Sequence, residues 1–189
     1  MNATTHFLEK ITAIYPLTDT EKSQLQGCAK VQTFKKNSFL LQEGGISDTL
    51  YFVLNGLLRA YYIENNDEIT AWFMPEGGFA YSITSYLTNS PSSEAIVAEE
   101  DTLVVAITKP NLEQLFLSSA AFTRIALYFT EQYLSRYDER VRGLRLQPEE
   151  CYKRFQSQYP LLEARVKLNH LASYLGISRS TLCQLRKRR

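Results

Sequence analysis

The chain has 189 residues, 44% hydrophobic and 22% charged, a balance that suits a soluble protein with one medium and one small domain. No apolar run approaches the roughly 20 residues a membrane helix needs, and MNATTHFLEK lacks the basic-then-apolar order of a secretory signal. The net charge of +1 hides an asymmetry: residues 1–145 hold 12 Lys and Arg against 17 Asp and Glu, a net of −5, whereas residues 146–189 hold 9 against 3, a net of +6.

The chain opens helically. Phe7, Leu8, Ile11 and Ile14 lie three to four apart, and Pro16 ends that helix. Thr18-Asp-Thr-Glu21 is a capping box that opens a second helix through Leu25. From Val31 to Ile107 the period falls to two. Apolar runs at Ser38–Leu41, Leu50–Leu54, Leu57–Ile63, Ile69–Met74 and Leu103–Ile107 are separated by the turn signals Glu43-Gly44-Gly45, Asn55-Gly56, Asn65-Asn66-Asp67 and Pro75-Glu76-Gly77-Gly78. Asn55-Gly56 between two apolar runs predicts a type I′ hairpin. Short, tightly turned strands of this spacing suggest a jelly roll, a double-stranded β-helix. A jelly-roll enzyme of the metal-dependent type needs clustered histidines, and Val31–Ile107 contains none.

Pro110 introduces a helical stretch, Leu112–Phe116, followed by a long helix from Ala120 to Leu144. Leu127, Leu134 and Val141 lie seven apart on it, with Thr130, Tyr137 and Leu144 between, which gives an imperfect heptad seam. Such a helix either pairs with its twin or lies on its own barrel. The flanking Arg136, Glu139, Arg140 and Arg142 favour the dimer, with Leu127, Leu134, Tyr137 and Val141 as its contacts. Gln147-Pro148-Glu149-Glu150 then starts a new helix that carries Tyr152, Phe155 and Tyr159 as far as Pro160.

The last segment, NHLASYLGISRSTLCQLRKRR, reads as two short helices around a turn. Leu171, Leu175, Ile177, Leu182 and Leu185 share a small core, Ala172 permits close approach, Gly176 supplies a positive φ and Ser178 caps the second helix. Arg179, Ser180, Cys183, Gln184 and Lys187 are left on the outer face. The spacing is that of a helix-turn-helix, whose second helix enters the DNA major groove. The bland alternative is a helical hairpin with a solvated basic end. The expected organisation is therefore α+β: a jelly-roll domain over 1–118, a dimerisation helix over 119–145 and a helix-turn-helix (winged-helix-like) domain over 146–189.

Three segments together resemble the Crp/Fnr superfamily of transcriptional regulators, relatives of the cyclic-AMP receptor protein. They are DTLYFVLNGLLR at Asp48–Arg59, similar to the family's LYxVxxGxxR hairpin, MPEGGF at Met74–Phe79, and Leu171–Arg186. EECYKRF and YPLL ahead of the last helices look like members common in Bacteroidetes. The resemblance implies a cytoplasmic homodimer on a palindromic site in double-stranded DNA, a cyclic-nucleotide-binding-like barrel able to hold a small effector, and no enzyme activity. RNA polymerase enters as a partner only if the regulator activates.

By the same resemblance Arg179, Ser180 and Gln184 read bases, while Ser178 and Thr181 hold phosphates. Arg186, Lys187, Arg188 and Arg189 add salt-sensitive attraction. Asn169 or His170 reaches the DNA backbone. The effector pocket departs from the family. Where cyclic-nucleotide binders carry Gly-Glu and then Arg-Ser, this chain has Tyr81 or Ser82, and then Ser92, Ser93 or Glu94. A glutamate would repel a cyclic phosphate, so cyclic AMP is not expected, and Tyr81, Ser82, Ser92 and Ser93 are left to line a pocket for another polar ligand or none. Cys28, Cys151 and Cys183 are odd in number and far apart, as in a reducing compartment, and lone Cys28 cannot hold an iron–sulfur cluster. No metal or cofactor is expected. The remaining alternative is a binding module that keeps the regulator's fold without reading DNA.

Overall fold

A computed structural model describes residues 2–187, so Arg188 and Arg189 of the basic end lie outside the described residues. Helix α1 (Ala3–Ile14) starts on the Asn2 side chain, and α2 (Asp19–Cys28) starts on the expected capping box. There the Glu21 N–H donates to Thr18 Oγ1 at 3.3 Å and the Thr18 N–H donates to Glu21 Oε2 at 2.7 Å.

Eight strands follow: β1 (Lys30–Phe34), β2 (Phe39–Leu41), β3 (Thr49–Asn55), β4 (Leu58–Glu64), β5 (Asp67–Met74), β6 (Phe79–Ala80), β7 (Ala95–Ala98) and β8 (Thr102–Thr108). They form two four-stranded antiparallel sheets, β1-β8-β3-β6 and β2-β7-β4-β5, packed face to face as a jelly roll. Val53, Leu58, Ala60, Ile96, Ala98 and Val104 fill the space between the sheets. A short helix, α3 (Ile83–Thr88), bridges β6 and β7. It was not legible in the serine-rich sequence, and neither was β7, all four of whose residues are buried so that no alternation survives.

The expected type I′ hairpin at Asn55-Gly56 does not form. Gly56 has φ +104°, but Asn55 stays outside the left-handed region, and β3 and β4 belong to different sheets. The turn carries the chain from one layer to the other. The two-residue hairpin lies further on, where Asn65 (φ +52°) and Asn66 (φ +67°) close β4 onto β5 between the paired Glu64 and Asp67.

Helix α4 (Lys109–Ser118) leads into the 24-residue α5 (Ala120–Gly143). Phe122 and Ile125 on one face of α5 are buried with Phe7, Ile11, Phe52 and Leu115. Then come α6 (Pro148–Gln158), α7 (Leu168–Leu175) and α8 (Arg179–Lys187). The described residues beyond 146 contain no strand, so the helix-turn-helix has no β-wing among them. Its core of Tyr152, Phe155, Leu171, Leu175 and Leu182 is continuous with Leu57 and Phe73 of the barrel.

Candidate nucleic-acid interface and effector barrel

Local sequence sets the candidate DNA-reading element. Gly176 caps α7 at φ +67°, and the Ile177 N–H reaches back to the Ala172 carbonyl at 3.1 Å. The Thr181 N–H donates to Ser178 Oγ at 3.0 Å, which starts α8 as expected. Leu182 is fully buried, while Arg179, Ser180, Gln184 and Lys187 are exposed along the outer face. Among the described residues Arg179 and Lys187 form no ion pair. The hydroxyls of Ser180 and Thr181 lie 2.8 Å from Ser178 Oγ, so both are tied to the cap at the positive end of the helix.

Two residues assigned to DNA by sequence are engaged elsewhere. Arg186 turns inward: its Nε lies 3.0 Å from Glu163 Oε1, and Nη2 donates to the Glu163 carbonyl at 3.3 Å. Glu163 also accepts from Gln156 at 2.9 Å and from the Tyr152 hydroxyl, so Arg186 fastens the end of α8 to α6. His170 faces the barrel. Its Nδ1 lies 2.7 Å from Glu99 Oε1 and its Nε2 3.8 Å from Glu68 Oε2, so the ring is turned toward barrel carboxylates.

His170 belongs to a polar cluster that sequence reasoning missed. Arg59 on β4 is 3% exposed; its Nε donates to Glu99 at 2.6 Å and its Nη2 to Glu68 at 2.6 Å. Leu58 and Ala60 point into the barrel, so Arg59 points out of it, toward α7. Ser173 Oγ accepts from the Thr70 N–H at 2.7 Å, and Arg140 donates to the carbonyls of Tyr174 at 2.8 Å and Thr70 at 3.1 Å. Arg165 bridges Glu76 at 2.8 Å and Glu100 at 2.5 Å. The available signals were the place of Arg59 at the end of the LYxVxxGxxR-like segment and its standing as the only basic residue of a largely apolar strand.

Burial pushes the Glu99 carboxyl up, but His170 and Arg59 outweigh it and hold the group below its ordinary value of 4.5. A carboxylate whose folded-state value is depressed stabilises the fold above the ordinary value, and that contribution is lost as pH falls through the lower one. Chemical denaturation at pH 6 and pH 3 is therefore expected to show lower stability at pH 3. Glu99→Gln, weaker at pH 6, should lose less between the two. An identical acid loss in Glu99→Gln would contradict this.

On the other face of the barrel, Ser82 and Ser92 come together, each 3% exposed, with their Oγ atoms 2.9 Å apart. The Ser82 N–H donates to Ser47 Oγ at 3.1 Å, and the Ser47 N–H donates to Ser85 Oγ at 2.9 Å. Ser93 is exposed and lies outside this network. Tyr81 is half-buried, its ring 5.2 Å from Tyr86. Burial raises the Glu94 carboxyl above its ordinary value.

Comparison with known proteins agrees with this geometry. Residues 31–119 match the family model described as the cyclic nucleotide-binding domain. A cGMP-dependent protein kinase of Plasmodium berghei is 25% identical over 108 residues, 57% of this chain, and the match spans only 12% of the kinase. Among solved structures, a CooA mutant from Carboxydothermus hydrogenoformans aligns with TM-score 0.71 at 16% identity, over 96% of this chain and 83% of its own. FixK2 from Bradyrhizobium japonicum aligns with TM-score 0.70 at 17% identity, over 85% and 83%. A regulator assigned to the Crp/Fnr family from Eubacterium rectale aligns with TM-score 0.68 at 16% identity, over 91% and 83%. The barrel lies within the residues that match the cyclic nucleotide-binding domain model. With α5 and the helical C-terminal domain attached, the chain as a whole has the fold of the Crp/Fnr regulators.

Proposed function

We propose that this chain is a DNA-binding transcriptional regulator of the Crp/Fnr type, cytoplasmic and homodimeric, that reads a palindromic site with α8. The observation that carries the reading is α8 itself. It is capped at Ser178, anchored by buried Leu182 and presents Arg179, Ser180, Gln184 and Lys187 outward on a basic end. Arg179 suits a forked contact to guanine. Ser178, Ser180 and Thr181 suit phosphates at the positive end of the helix. Arg179→Ala is expected to weaken binding to the selected site by about 1–3 kcal/mol and leave random DNA nearly unaffected, read by fluorescence anisotropy on both duplexes. Equal losses on both would remove its base-reading role.

The dimer reading rests on the outer face of α5. Leu127, Leu134, Tyr137 and Val141 are between 40% and 56% exposed in a single chain, an apolar seam that a second copy would cover. Leu134→Glu is expected to shift the sedimentation coefficient to that of a monomer and abolish binding to the full palindrome. A dimer unchanged in size would place the interface elsewhere.

The effector of this reading is not cyclic AMP, because Glu94 and neutral serines stand where an anionic phosphate would need an arginine. An activating role would add contact with RNA polymerase.

A further inference from the structure

We infer that the groove between α5 and the helical C-terminal domain binds the phosphate group of a small phosphate ester, with Arg136, Arg140 and Arg154 as its cations. The inference goes beyond the regulator reading, since the groove lies outside both the barrel and α8. Arg136, Glu139, Arg140 and Gly143 line it from α5, Arg154 from α6 and Tyr174 from α7. On the same two long helices Arg142 pairs with Asp138 at 2.9 Å and Lys153 with Glu149 at 2.6 Å, whereas Arg136 and Arg154 form no ion pair among the described residues. Arg140 is engaged only by neutral groups. Its Cζ lies 3.9 Å from the Tyr174 ring centre, and it donates to the carbonyls of Tyr174 at 2.8 Å and Thr70 at 3.1 Å. The one carboxylate of the groove, Glu139, accepts from the Gln158 amide. Unpaired basic side chains such as Lys10 occur elsewhere; what sets this groove apart is that three arginines line it together.

Charge and size select the ligand. Three arginines against one glutamate leave an excess of positive charge that suits a phosphate monoester, close to a dianion at neutral pH. The guanidinium fork matches phosphate oxygens in pairs, and a bound anion relieves the repulsion among the three cations. The groove encloses about 40 Å³. That is room for roughly three waters or one phosphate group, and not for a whole nucleotide, so the rest of the ester stays at the mouth. Gly143 gives separate evidence of space: it is buried, yet an added Cβ would meet nothing within 4 Å. Arg136, Glu139, Arg140 and Gly143 recur at helical spacing on the face of α5 turned away from Leu134 and Val141, so a twin helix on the seam would leave the groove open. A phosphate joining α5 to α6 would fix the helix-turn-helix domain on the dimer helix.

The full-length protein is titrated by calorimetry at constant ionic strength with ribose 5-phosphate, with AMP, and with adenosine as the uncharged control. At least one phosphate ester is expected to saturate a single site per chain, with adenosine silent. Arg136→Gln combined with Arg154→Gln, folded by circular dichroism, is expected to weaken that ester by about tenfold or more. Gly143→Leu, which fills the space and keeps every charge, is expected to weaken it as well. Lys10→Gln removes a charge from α1 and should leave binding unchanged. No binding of either ester, an equal response to adenosine, an equal loss in Lys10→Gln, or full binding by the double arginine variant would overturn the proposal. DNA binding is measured separately on the same proteins. If neither ester binds while the double arginine variant loses affinity for duplex DNA, the groove holds DNA phosphates and the small-ligand site falls. Ester binding without DNA binding would keep this site and remove the regulator reading, and DNA binding without ester binding would do the reverse.

Discussion

Replacing Gly56 with alanine is expected to destabilise the fold by about 2–5 kcal/mol, lowering the denaturation midpoint without changing the slope. A Cβ at Gly56 would stand 2.5 Å from Thr102 Oγ1, 2.7 Å from Thr102 Cα and 2.8 Å from the Asp101 carbonyl. Two of those are backbone atoms and cannot swing aside. The residue also holds φ +104°, where an L side chain is strained whatever the space. The turn must be this tight because it carries the chain from β3 in one sheet to β4 in the other, pressed against the start of β8. Gly27 is the control: it is exposed within α2, and an added Cβ meets nothing within 4 Å. Gly27→Ala should stabilise by about 0.5–1 kcal/mol. If Gly56→Ala were as benign as Gly27→Ala, the crossing geometry described for this turn would be wrong.

Arg59→Ala is expected to destabilise by about 3–5 kcal/mol, and to loosen the helix-turn-helix domain from the barrel as well. Arg59 and Glu99 are 3% and 5% exposed, so removing the arginine strands a buried carboxylate with only His170 beside it. Removing both charges together differs in kind. In Arg59→Met with Glu99→Leu the buried carboxylate goes with its arginine, and the Glu68 left behind is part-exposed with His170 3.8 Å away, so much of the loss should be recovered. Amide hydrogen exchange separates the two effects. In Arg59→Ala, protection should fall in α7 and at Thr70, where the Ser173 contact joins the domains, more than in β1 and β8 on the opposite sheet. A double variant as unstable as Arg59→Ala, or uniform loss of protection, would contradict this account of the cluster.

What the sequence made legible was what neighbouring residues decide. The Thr18–Glu21 capping box, the Gly176 turn and the Ser178 cap are each closed within a few residues, and each forms as read. The hairpin at Asn55-Gly56 was misread because asparagine-glycine signals a local turn, whereas the sheet each flanking strand joins is settled by partners far along the chain. Asn65-Asn66 carries the same left-handed preference and does close a hairpin, because β4 and β5 share a sheet. The roles of His170 and Arg186 were misjudged for a related reason. Basic residues near a recognition helix look alike in sequence, and only the fold brings Glu99 to one and Glu163 to the other. Arg59 and Glu99 lie 40 residues apart and no local period links them. Of the effector residues, Ser82 and Ser92 do meet, with their hydroxyls 2.9 Å apart, whereas Ser93 is exposed outside that network, a division that only the folded loop makes.

The central claim is that α8 reads DNA sequence as half of a symmetric dimer. The most direct measurement is selection of bound duplexes from a random pool by the purified full-length protein at near-physiological salt. The account expects a palindrome whose half-sites lie about one helical turn, ~34 Å, apart. Recovery of no common sequence, with binding that simply fades as salt rises, would contradict it.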